Sequence, residues 1–90
     1  MGTGEGEWSG WQEPVLHVFP NPSTGTFSIA CSVPGNGQAF VDVFNLMGRP
    51  VCSGSPEEMQ SVTVDESGIY LIRLTTDMGI SVTEAVAVLK

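Results

Sequence analysis

Few of the 90 side chains could carry chemistry, and their spacing fits no reaction. His17, the only histidine, sits between Leu16 and Val18 in an alternating run that directs it to the outer face of a strand. Acyl transfer by a serine–histidine–acid relay needs a serine on a tight elbow and an acid that orients the imidazole, and no G-x-S-x-G occurs. Glu57-Glu58 and Asp65-Glu66 are adjacent acids, and neighbours along a strand point to opposite faces, so they read as solvated loop charges. Asp65, Glu66 and Asp77 could offer oxygens to calcium but lack EF-hand spacing. Cys31 and Cys52 form no zinc pattern with the single histidine, and no glycine loop leads into a helix to cradle phosphate. Asn21-Pro22-Ser23 is not a glycosylation acceptor, because proline holds the middle position. The sequence encodes no enzyme, cofactor or metal site.

Charge and composition narrow the partners. Ten acids stand against Arg49, Arg73 and Lys90, a formal net charge of −7. Such a surface repels phosphate backbones, which excludes nucleic acid. No apolar run approaches the roughly 20 residues of a membrane span, so direct membrane insertion by a helix is not expected. Met1 to Glu5 has neither the basic nor the apolar region of a secretory leader and reads as the start of a fragment. Trp8 and Trp11 could stack on a sugar, but they lie in a glycine-rich tail rather than on a rigid scaffold.

Residues 1–13 show no periodicity and read as a linker or tail, leaving a domain at 14–90 to position these groups. From Pro14 onward, short strand patterns recur near 15–19, 25–33, 38–45, 49–53, 60–65, 69–76 and 80–89. This spacing predicts an all-β fold, an immunoglobulin-like seven-stranded antiparallel β-sandwich. The joint between the first two strands is Phe19-Pro20-Asn21-Pro22-Ser23-Thr24-Gly25. Pro20 gives no N–H to a ladder, Pro22 holds Asn21 extended, and Gly25 accepts positive φ, so the stretch reads as a stiff, solvent-facing corner. Asn45-Leu46-Met47-Gly48 reads as a hairpin turn with Gly48 in the left-handed position.

Alternation assigns the core to Leu16, Val18, Phe27, Ile29, Cys31, Val41, Val43, Val51, Val62, Val64, Tyr70, Ile72, Leu74, Val82, Val86 and Val88. Counting from Val51 turns Cys52 outward, and a Cys31–Cys52 bridge would then need a bulge. One buried thiol and one near the surface are expected instead. Glu84 shares the parity of Val82 and Val86, which requires a bulge or an open edge there. Phe40, Phe44, Ile69 and Leu71 fall on outer positions, more apolar surface than a lone domain needs.

Four segments stand in order: Phe19 to Gly25; Val41-Asp42-Val43-Phe44-Asn45-Leu46-Met47-Gly48-Arg49; Ser67-Gly68-Ile69-Tyr70-Leu71-Ile72-Arg73-Leu74; and the apolar strand ending at Lys90. Together they resemble the type A C-terminal sorting domain of the type IX (Por) secretion system, over about residues 14–90. The Pro20, Asn21, Pro22 and Gly25 corner, the Gly48-Arg49 pair, Gly68 with Tyr70, and Lys90 carry the resemblance. Thr83-Glu84 departs from it, since many relatives hold a basic residue there, and the two cysteines are not part of the pattern.

The resemblance implies a non-catalytic function: a folded address at the end of an upstream cargo, passing through the periplasm to the cell surface or the exterior. The implied partners are the outer-membrane translocon and a sortase-like signal protease that cuts within or before residues 1–13. Gly48-Arg49 and the charge of Lys90 are then features for a receptor to read. The alternative from another class is an immunoglobulin-like spacer or adhesive, carbohydrate-binding module of a surface protein.

Overall fold

The computed structural model describes residues 14–90; the linker assigned to 1–13, with Trp8 and Trp11, lies outside them. Seven strands form among the described residues: β1 (Val15–Phe19), β2 (Thr26–Ser32), β3 (Ala39–Asn45), β4 (Pro50–Gly54), β5 (Ser61–Thr63), β6 (Gly68–Thr76) and β7 (Ser81–Val88). They make two antiparallel sheets, ordered β1-β2-β5 and β4-β3-β6-β7. The sandwich expected from strand spacing is the fold observed.

The sheets close on Phe27, Val41, Val43, Ile72, Leu74, Val86 and Val88, each almost fully removed from water, with Leu16, Ile29, Val62, Val64 and Tyr70 around them. These residues share one parity on each strand, which is why alternation locates them. Each buried large apolar side chain contributes about 1.5–3 kcal/mol relative to exposure. Met59 joins this core unannounced by alternation, because it sits in a turn. Ser55 and Glu58 close that turn reciprocally: Ser55 N–H donates to Glu58 Oε1 (2.9 Å) and Glu58 N–H to Ser55 Oγ (3.3 Å). Glu58 is therefore a capping residue as well as an exposed charge.

The fourth strand departs from the expected faces. Its register against β3 runs Val43 to Cys52 and then Phe44 to Pro50, so Val51 is the extra residue of a bulge. A one-residue slip exchanges the faces of a strand. Cys52 consequently packs half-buried against the core while Val51 is exposed, the reverse of the alternation counted from the turn. Cys31 also packs half-buried against the core, and both thiols are free. Glu84 needs no bulge: β6 and β7 pair without interruption from Gly68–Val88 to Thr75–Ser81, and Glu84 is exposed on the sheet's edge strand.

Register also sorts the loops into two ends. Asn45 faces Tyr70, Tyr70 faces Val86, and Gly68 faces Val88, so the β3–β4 turn, the turn before β6 and the end of β7 lie together. At the other end lie the start of β1, where Val15 faces Ser32, the 3-10 turn Pro34–Asn36 and the β6–β7 hairpin. Asp77 thus falls at the opposite end from Asp65 and Glu66, and these acids share no site.

The bulge yields a test. Cys52→Asp is expected to lower the unfolding free energy by about 1–3 kcal/mol, the cost of burying an unpaired polar group, while Val51→Asp changes it by about 0.5 kcal/mol or less. Urea denaturation of both variants measures this, and the reverse order would restore the unbulged register.

Candidate functional site

The four segments singled out in the sequence meet at one end of the sandwich. The corner after β1 does not simply face solvent. Pro20, Asn21 and Pro22 are exposed, but Ser23 and Gly25 are buried, and Ser23 forms a parallel bridge to Val88. Ser23 N–H donates to Ala87 O and Leu89 N–H donates to Ser23 O, each at 2.8 Å. The Asn21 carboxamide takes the next position along the strand: Nδ2 donates to Ala85 O (3.1 Å) and Oδ1 accepts from Ala87 N–H (3.0 Å). An amide side chain presents N–H and C=O side by side, as a peptide group does, so Asn21 replaces the ladder contact that its proline neighbours cannot donate. Ser23 Oγ fixes the corner locally, donating to Thr26 O (2.7 Å) and accepting from Gly25 N–H (3.1 Å).

Gly25 has φ +136°, and a Cβ there would lie 3.3 Å from Lys90 Cε. Its carbonyl accepts from Val64 N–H at 2.9 Å. Lys90 in turn donates from Nζ to Val64 O (3.2 Å), and its own N–H donates to Ser67 Oγ (2.9 Å). The turn carrying Ser67 is held by Tyr70, whose buried ring sends its hydroxyl back to Glu66 O at 2.7 Å. This is the tyrosine-corner contact expected from Gly68-Ile69-Tyr70.

The β3–β4 turn stands beside this cluster as a separate rigid piece. Asn45 Oδ1 accepts from Met47 N–H (3.0 Å) and Arg49 N–H (2.9 Å), while Gly48, at φ +83°, donates to Asn45 O (2.9 Å). The turn presents Leu46 and Met47, which are 64% and 91% exposed. Arg49 is exposed and has no ion-pair partner among the described residues. By contrast Arg73, on the outer sheet face, pairs with Asp42 (3.3 Å) and lies 5.4 Å over the Phe44 ring.

Elsewhere the surface offers little chemistry. A depression of about 530 Å³ at the opposite end is lined by Cys31, Val33, Gly37, Gln38, Ala39, Ser55, Pro56 and Glu57. Burial, reinforced by the Glu57 charge, pushes the Cys31 thiol up, and burial alone raises that of Cys52. Both shifts lower the thiolate fraction at a given pH, and with it the nucleophilicity of the sulfur. His17 is exposed on β1, opposite Ala30, as alternation places it.

A family model described as the secretion system C-terminal sorting domain matches residues 17–88, nearly the whole described chain. The chain belongs to that family. Membership makes this sorting domain a C-terminal signal for type IX secretion, whose destination is the cell surface or the extracellular space. The family is not an enzyme family. No curated protein matches the chain at a significant level.

Within the sorting domain, sequence reasoning missed the bonds made by Ser23, Asn45 and Ser67. The side-chain bonds of Asn45 and Ser23 were findable, since both close turns on residues a few positions away. The backbone bond from Ser23 to Ala87 and the bond from Lys90 to Ser67 were not, because those partners are far apart in the chain.

Tyr70→Phe should cost about 1–3 kcal/mol by leaving the Glu66 carbonyl without its partly buried donor, and Asn21→Ala about 1–2 kcal/mol for two exposed bonds; thermal unfolding measures both, and unchanged stability in either would remove that contact from the account. Iodoacetamide alkylation of the folded chain should reach half its limiting rate at a higher pH than a free cysteine peptide does, because both thiols are raised. An equal or lower midpoint would show an activated thiol.

Proposed function

We propose that the end of the sandwich built by the corner, the Gly48-Arg49 turn, the Gly68–Tyr70 turn and Lys90 is the face by which type IX secretion recognises this domain. The observation that carries the reading is convergence. Residues spread from Asn21 to Lys90 are drawn into one hydrogen-bonded cluster, and beside it the β3–β4 turn holds out Arg49 with exposed Leu46 and Met47. A guanidinium bordered by apolar side chains suits a protein partner that offers a carboxylate or carbonyls within an apolar surround.

Under this reading the partners are the outer-membrane translocon and a sortase-like signal protease, and transit is through the periplasm. An upstream cargo is attached ahead of Pro14, and the cut falls within or before residues 1–13, where an unpatterned stretch suits a protease that binds extended chain. The cargo is then left on the cell surface or released. The domain's role throughout is to be bound, not to catalyse.

Export of a reporter fused ahead of residue 1 tests the proposal in a bacterium with type IX secretion. Arg49→Ala should shift the reporter from the surface to the periplasm by about tenfold or more, the effect of losing one charged contact with a receptor, while the melting temperature of the 90-residue chain moves by only a few degrees, as for any exposed arginine. Normal surface delivery with Arg49→Ala would remove this turn from the recognition face. Normal delivery without residues 14–90 would remove the sorting function.

A further inference from the structure

We infer that Lys90 is a positioning residue that latches the recognition end from within, rather than a charge offered to a receptor; the consequence for export rests on the function proposed above. Lys90 as a whole is exposed, yet its ammonium is turned to a part-buried bond with a backbone carbonyl. Its stem lies along the strip where Gly25 has no side chain, with Cε, Nζ and Cδ at 3.3, 3.6 and 3.8 Å from the position of a Cβ. Its ammonium donates to Val64 O and its backbone N–H to Ser67 Oγ. Among the described residues it forms no ion pair with a carboxylate, although Asp65 and Glu66 occupy the same turn. The group is spent on a backbone carbonyl.

The latch joins three segments just past the ends of the β2–β5 and β6–β7 ladders. Gly25 belongs to the corner, Val64 and Ser67 to the chain between β5 and β6, and Leu89 and Lys90 to the end of β7. The bonds close on one another: Leu89 N–H donates to Ser23 O, Val64 N–H to Gly25 O, and Lys90 Nζ to Val64 O. A lysine is suited to this, because four methylenes can cover the glycine while the head group reaches past it to a carbonyl. Any side chain at residue 25 would meet the stem and would be strained at φ +136°. The glycine of the corner and the lysine of the last strand therefore answer one steric requirement.

Lys90→Met keeps the stem and removes the donor. In the 90-residue chain it should speed amide hydrogen exchange at Ser23, Val64 and Leu89 by about five- to tenfold, the effect of one lost hydrogen bond, and leave Val43 and Ile72 unchanged. The double variant Leu89→Lys/Lys90→Met returns a cation to the same end, at a position 63% exposed, without returning the latch. It should show the same fast exchange and should not restore reporter export lost with Lys90→Met. Unchanged exchange in Lys90→Met overturns the latch outright. Fast exchange with export restored by the relocated lysine overturns its role in recognition and makes the charge itself the signal. Should the unaltered domain fail to export the reporter, the sorting proposal fails, while the exchange result still decides the latch.

Discussion

The arrangement depends on how the open edge of β7 is closed. An edge strand leaves alternate N–H and C=O groups without partners and invites pairing with another chain. Here the groups of Ala85, Ala87 and Leu89 are taken by Asn21 and Ser23, residues of a corner that belongs to the other sheet. Two prolines make the corner stiff but leave it short of donors, and the carboxamide of Asn21 makes up the difference. The corner therefore ties the two sheets together at one end and covers the last part of the β7 edge in the same contact.

Fold class and most of the core were legible because both depend on local rules: a period of two, turn residues between strands, and prolines where ladders must stop. The same rules misplaced β4, since a bulge at Val51 turns Cys52 inward and leaves no mark in composition. They also stopped short of the corner. Pro20, Asn21, Pro22 and Gly25 announce a bend, but nothing local says that the bend will lie against Ala85 and Ala87. Tyr70 was readable because its hydroxyl returns only four residues. Lys90 was not, because a terminal lysine looks like a free charge until Gly25 and Val64 are brought beside it.

Charge does not follow this division of the molecule. Arg49 and Lys90 lie at the end that carries the family segments, but the exposed Asp65 and Glu66 share that end, while Glu57 and Asp77 are exposed toward the other. The outer face between them is not bare grease: the Asp42–Arg73 pair lies across it, with the guanidinium over Phe44.

The start of β1 lies at the end away from the corner, and β1 runs from there toward the corner along β2. A pull on the chain ahead of Pro14, resisted at the corner, is directed along the strand axis. Such a load shears the pairing from Val15–Ser32 to Phe19–Ser28 as a block instead of peeling it one bond at a time. A load applied in that direction meets all five β1–β2 pairs together.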